Sequence, residues 1–156
     1  DDAYVGGILH DIGKIIFANI QPDLLERMAA FCKDKDIDTN YFENITAGLN
    51  HAGIGALIAH KWNFPDSLVE AIKFHHEPLS CNKEYRDVVF IVYLANAFCN
   101  IETETMHYDL LEKKVIAACG IKSEEQFKTI HSRLENAFVR EQQRQEMIKE
   151  RGGHNV

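Results

Sequence analysis

No apolar stretch in these 156 residues approaches the roughly 20 residues that a membrane-spanning helix needs. No charged segment followed by an apolar one opens the chain as a secretory signal would. A membrane role is therefore not expected, and a reducing cytoplasm is. Positive charge is in deficit: the formal net charge of −7 argues against a nucleic-acid surface dominated by phosphate contacts. It leaves room for a small phosphorylated ligand held by a few local cations. Cysteine is scarce and scattered. Cys32, Cys81, Cys99 and Cys119 form no C-x-x-C pair and match no usual spacing for structural zinc. Cys99 and Cys119 fall in apolar helical patterns, where a reduced core thiol is expected. There is no internal repeat and no low-complexity stretch.

What is present is enough apolar residue, 46%, for the core of one domain, arranged with helical period. Residues 3–19 carry Val5, Ile8, Leu9, Ile12, Ile15 and Ile16 at spacings that predict one helix. Pro22 suits the first turn of a second helix running to residue 35, with Asp23 and Glu26 near its positive end. A polar break over 34–40 precedes a third helix, 41–62, with Ile45, Leu49, Ile54, Leu57 and Ile58 along one stripe. A turn at Asn63-Phe64-Pro65-Asp66 leads to a fourth helix ending near His76, before Pro78. Residues 78–84 read as a loop, and 85–100 as a central buried helix. The β-branched run within 85–100 also suits a strand, but no partner strand is visible. A sixth helix covers 108–119 and ends at Gly120. Ser123-Glu124-Glu125-Gln126 resembles a capping box opening the last helix, which turns polar after Val139 and ends in a tail from Gly152. The expected fold is all-α, about seven helices, with a core over 1–122 and a C-terminal helix and tail over 123–156.

Histidine and carboxylate stand out within this pattern. His10 and Asp11 are adjacent, His51 follows, and His75-His76-Glu77 close the fourth helix. Imidazole and carboxylate together make sites for zinc or another transition metal. Neighbours on a helix point about 100° apart, so His10 and Asp11 share an ion only where it sits over the helix face between them, with the remaining ligands coming from other helices, which suits His51 and His75. Lys14, three residues after Asp11, either meets a phosphate oxygen or neutralises the carboxylate. Each residue also has an ordinary structural reading. His10 and Asp11 can be a hydrogen-bonded pair, and His75 and His76 can complement a helix C-terminus. His60, His107, His131 and His154 are read as ordinary polar core or surface residues.

The string Gly7-Ile8-Leu9-His10-Asp11-Ile12-Gly13-Lys14 resembles the signature of the HD superfamily of metal-dependent phosphohydrolases. Later segments are similar to one branch, the HDOD domain: His51-Ala52-Gly53-Ile54-Gly55-Ala56, Trp62-Asn63-Phe64-Pro65, Ile72-Lys73-Phe74-His75-His76-Glu77-Pro78, and the apolar helix ending at Ala95-Asn96. The resemblance covers roughly residues 3–100 and implies an HD-domain-like helical bundle. For active members it implies one or two divalent metals that activate water and polarise a phosphoryl oxygen. Carried over residue by residue, His10 and Asp11 match the His-Asp pair, His51 and His75 the added histidines, and Asn96 the late aspartate. Asn96 departs from the pattern, because a neutral amide oxygen binds a hard divalent cation less well than a carboxylate. No histidine precedes His10. The Gly-Tyr-Pro motif of the branch that cleaves cyclic dinucleotides is replaced by Pro78-Leu79-Ser80-Cys81. The family domain is also longer at its N-terminus; where those upstream helices are missing, apolar faces of the first helices are expected to be exposed, with self-association or a rearranged fold as the consequence.

These readings lead to a bacterial signal-transduction module of the HDOD type without catalytic activity, its partner a signalling protein or an attached regulatory domain. In that module the cluster of His10, Asp11, His51 and His75 holds no stoichiometric metal, and its histidines are satisfied by hydrogen bonds. The alternative is a phosphohydrolase of nucleotides or cyclic dinucleotides, using iron, manganese or zinc held by His10, Asp11, His51, His75 and Asn96. A third is a module that senses a phosphorylated small molecule through Lys14, Lys73 and His76.

Overall fold

The computed structural model describes residues 2–20, 27, 30, 31, 33–35, 50–102 and 107–152, the side chains of 17, 18, 20, 102 and 149–152 excepted. Every regular element among them is helical. The chain divides into two compact units, Asp1–His107 and Tyr108–Val156. The expected start of a helix at Pro22, Cys32, the stripe positions Ile45 and Leu49, His154 and the tail beyond 152 lie outside the described residues.

The first departure from expectation decides the site. Residues 3–19 do not form one helix: α1 spans Asp2–Leu9 and α2 spans Ile12–Ile20, with His10 and Asp11 in a turn between them. The cause is local. His10 donates from Nδ1 to the Gly7 carbonyl at 2.8 Å, the carbonyl that a continuing helix would give to the Asp11 N–H. Lys14 N–H then bonds the Asp11 carbonyl at 2.9 Å, a tight turn that starts α2. Within the apolar stripe Leu9, Ile12 and Ile16 are half-buried, while Val5, Ile8 and Ile15 are exposed.

Of the third expected helix, residues 41–49 lie outside the described residues, and the described part opens at a cap of its own. Asn50 is extended and its side chain accepts from Gly53 N–H at 2.8 Å, so α3 starts at His51 and runs His51–Lys61. Its buried face is not the expected branched stripe. Leu57 is exposed, and Ala52, Gly55, Ala56 and Ala59 are buried instead. The small face has a reason, because α2 crosses α3 with backbone in contact. A Cβ on Gly13 would lie 1.9 Å from the His51 carbonyl oxygen and 3.0 Å from Gly55 N.

Helix α3 closes in the turn read at Asn63. Phe64 N–H reaches the Ala59 carbonyl and Asn63 N–H the His60 carbonyl, both at 3.0 Å, with Asn63 at φ 57°. This is the Schellman arrangement, with asparagine taking the left-handed position. Next come α4 (Asp66–Phe74) and, after two 3₁₀ turns over Pro78–Ser80 and Lys83–Tyr85, α5 (Arg86–Glu102). Val89, Phe90, Val92, Tyr93, Leu94, Ala97 and Phe98 of α5 are buried, as expected of a central helix. α1 packs on α4 and α5, α4 on α3 and α5, and α2 on α3. Ile72 of α4 is wholly buried against Ala56 and Ala59.

The second unit holds a 3₁₀ turn (Tyr108–Leu110), α6 (Lys113–Ala118) and α7 (Glu124–Gly152). The expected helix over 108–119 is thus split in two. Gly120, at φ 77°, ends α6 as read. Ser123 Oγ accepts from Gln126 N–H at 3.1 Å, while the Gln126 side chain accepts from Lys122 N–H at 2.8 Å. The capping box is therefore real, shifted by one residue in its return bond. Two cysteine expectations are overturned: Cys99 and Cys119 are exposed, and Cys81 is the buried thiol. Cys99 lies on the exposed side of α5 and Cys119 just past the end of α6, where apolar spacing alone does not separate core from rim.

Candidate metal centre

Three helix ends meet at one point in the first unit. The α1–α2 turn supplies His10 and Asp11, the first residue of α3 supplies His51, and the segment just past α4 supplies His75 and His76. Helix ends present side chains in directions that a continuous helix would spread around its axis. His75 is wholly buried and His51 nearly so.

The ring orientations are fixed from behind. His75 donates from Nδ1 to the Ile72 carbonyl at 2.7 Å, as His10 does to Gly7 at 2.8 Å. Both rings therefore keep the Nε2 lone pair for the cluster, the arrangement seen in metal-ligating histidines. His51 Nε2 lies 3.3 Å from His75 Nε2 and 3.1 Å from His76 Nε2. Asp11 Oδ1 sits 3.2 Å from His51 Nε2 and 3.7 Å from His75 Nε2. Asp11 Oδ2 sits 3.4 Å from His10 Nε2 and accepts from Lys14 Nζ at 2.8 Å.

Two features test whether a cation suits this set. Ligand atoms bonded to one tetrahedral metal at 2.0–2.1 Å are about 3.3–3.4 Å apart, close to the spacings seen here. Asp11 Oδ1 is buried without a well-formed hydrogen bond and faces the Nε2 atoms of His51 and His75, an acceptor aimed inward at the cluster. The residues fit a divalent transition metal. Two overlapping groups, His51-His75-His76 and His10-Asp11-His75, each bring their ligand atoms within 4.8 Å, and they share His75.

The electrostatics agree. Burial, reinforced by the neighbouring His76, pushes the His75 imidazole down to about 2, so it is neutral and able to ligate. Partial burial works to raise the Asp11 carboxyl, but His51 and Lys14 beside it, with the charge of His10 and Lys14, outweigh this. The group is held well below the usual carboxylate range.

Of the residues singled out in the sequence, His10, Asp11, His51 and His75 converge. His76, read only as a ligand-binding candidate, joins them as a full member of the cluster. Its signal was the doublet itself: once a helix ends at the first of two histidines, both rings can turn to one point. Lys14 takes the second of its two readings and neutralises Asp11. Asn96 accepts from Asn100 Nδ2 at 3.2 Å, a bond within α5. Lys73 Nζ lies over the Phe74 ring at 4.8 Å. Glu77, His60 and His107 are exposed.

An all-helical bundle with a histidine–aspartate centre at its helix ends defines the class, and comparison with known proteins gives the family. The HDOD domain model matches residues 1–78, half of the 156-residue chain and a span that holds all five cluster residues. The chain belongs to the HDOD family. The match ends before Asn96. An uncharacterized protein of Treponema pallidum (strain Nichols) is 28% identical over 141 residues, covering 90% of this chain and 28% of that protein. Among solved structures, a Shewanella amazonensis SB2B protein bearing the name "Putative phosphohydrolase" superposes with a TM-score of 0.63 at 26% identity, over 86% of this chain and 49% of that one. A virulence factor of Campylobacter jejuni subsp. jejuni shares the fold, with a TM-score of 0.52 at 18% identity over 78% of this chain and 48% of that one. The chain thus spans about half the length of these solved proteins and 28% of the Treponema relative. Among the described residues no helix is long and apolar enough to cross a membrane.

Proposed function

We propose that this chain is the regulatory HDOD module of a bacterial cytoplasmic signalling protein, and that its centre takes a divalent transition metal without turning over a phosphoester. One observation carries the reading: Asp11 is the only carboxylate in the cluster among the described residues, set against four imidazoles, and its outer oxygen is already held by Lys14. Such a set binds a borderline transition metal well, but it offers little anionic charge to hold two hard cations for phosphoryl chemistry. The cation nearest Asp11 is likewise engaged with it rather than turned to a substrate phosphate. The larger size of the relatives supports a module working beside an attached domain.

A second reading, a metal-dependent phosphohydrolase of nucleotides or cyclic dinucleotides, is favoured by the convergence of His10, Asp11, His51, His75 and His76. The name of the Shewanella protein favours it too. A bound divalent metal would supply Lewis acidity toward water and a phosphoryl oxygen. In that reading His10, His51, His75, His76 and Asp11 bind it, and the Nδ1 bonds of His10 and His75 orient their rings.

The test is metal content by mass spectrometry on the full-length protein purified without chelator, with a phosphodiesterase assay on the same sample supplied with iron, manganese or zinc. Stoichiometric metal, lost in His10→Ala, without turnover supports the regulatory reading. Turnover that vanishes in His10→Ala establishes the hydrolase. Protein that takes up no metal refutes the metal centre and the hydrolase with it, and leaves a regulatory module that works through protein partners alone.

A further inference from the structure

We infer that Lys14 is an affinity-setting residue that weakens the grip of the centre on its cation and makes the metal exchangeable. The inference rests on the metal-binding part of the proposed function and concerns the regulation of that same site.

Lys14 leaves α2 three residues after Asp11, and its Nζ lies 2.8 Å from Asp11 Oδ2. Asp11 contributes the only negative charge of the cluster among the described residues, and the imidazoles contribute none when ligating. The ammonium therefore cancels the formal charge of the whole ligand set before any metal arrives. A dication entering beside Oδ1 meets a charge-neutral site, with a fixed positive charge on the far oxygen of its only carboxylate.

Two effects of Lys14 oppose one another. By holding Oδ2 it orients the carboxylate so that buried Oδ1 faces His51 and His75, which favours ligation. This orienting bond is partly exposed on both sides, with Lys14 and Asp11 side chains 45% and 36% accessible, so it is worth little. The Coulomb repulsion acts on a charge of two at short range. In a water-like dielectric the repulsion of one pair of unit charges at about 4 Å changes affinity about fivefold; a dication squares that factor, and the greater separation brings it back to about tenfold. Repulsion wins. A centre weakened in this way releases and regains metal as its supply changes, which suits a regulatory module better than a permanent cofactor site.

The experiment is a titration of the full chain with zinc, and separately with manganese, followed by competition against a chelator to read affinity and release rate. Lys14→Met keeps the stem length and removes the charge; Lys14→Arg keeps the charge. Lys14→Met should bind about tenfold more tightly and release more slowly, with the gap from wild type shrinking as salt rises. Lys14→Arg should stay near wild type. Unchanged or weaker binding by Lys14→Met, in protein whose helical content matches wild type, overturns the inference. So does a gap that ignores salt. Wild-type protein that binds neither metal overturns the metal centre itself, which is a different failure and is read before any variant is made.

Discussion

Gly13→Ala is the sharpest test of how this site is held together. The added methyl would sit 1.9 Å from the His51 carbonyl oxygen, 2.7 Å from its carbon and 3.0 Å from Gly55 N, all backbone atoms with no rotamer to yield. Ordinary contact requires about 3.4 Å or more, so α2 and α3 must part by roughly 1.5 Å at the crossing. Overpacking of this kind costs about 1–3 kcal/mol, and a backbone clash belongs at the upper end. Better helix propensity returns less than about 1 kcal/mol, leaving about 2 kcal/mol of net destabilisation. The larger effect falls on the centre. His51 moves with its carbonyl, and metal sites tolerate only about 0.2 Å of error in ligand distance. Urea unfolding of the metal-free chain should show the loss of stability, and zinc titration a loss of affinity beyond it. Gly7→Ala is the control. A Cβ there meets nothing within 4 Å, so the substitution should leave zinc binding intact and stabilise α1 by about 0.5–1 kcal/mol. A Gly13→Ala protein as stable as wild type, and equally able to bind zinc, would refute the backbone contact and the coupling argued from it.

Other expectations rest on single contacts. His75 belongs to both candidate ligand groups, so His75→Ala should abolish stoichiometric metal by mass spectrometry, while exposed His60→Ala should not. In chelator-treated protein the folded His75, held down to about 2, takes up no proton where the unfolded chain does, below about 6.5. Stability from this group is therefore complete above pH 6.5 and falls as pH drops below it, on the order of 1 kcal/mol per pH unit. His75→Gln should flatten that slope in urea titrations run from pH 7 to 4. Ser123→Ala removes the acceptor for Gln126 N–H and should cost about 1 kcal/mol, seen as faster amide exchange in the first turn of α7.

Element type was legible along this chain; element ends were less so. Helical period gave α4 and α5 nearly to the residue, and Gly120 and Asn63 announced the stops they make. The period failed at residues 10 and 11 because the apolar phase runs through the turn unbroken, and only a side chain competing for the Gly7 carbonyl interrupts the helix. It failed on α3 because the stripe of large residues was taken for the core, while the true contact is between backbones that small residues allow to meet. Side-chain size points to burial only when the partner surface is made of side chains.

The same turn explains why the site is legible as residues but not as geometry. On an unbroken helix, His10 and Asp11 would diverge by about 100° and their neighbours would crowd the space between. Ending α1 at Leu9 lets both side chains turn to one side, toward the start of α3 and the end of α4. The bond that breaks the helix is also the bond that fixes the His10 ring, since one Nδ1–H does both. A His10→Gln variant separates the two roles. Glutamine can still donate to the Gly7 carbonyl but presents no imidazole lone pair. It should keep the turn, visible as unchanged amide exchange over 9–14, and lose metal affinity. If exchange protection in that stretch rises to helical levels instead, the imidazole itself is what breaks the helix, and the centre and the fold of the first unit are a single device.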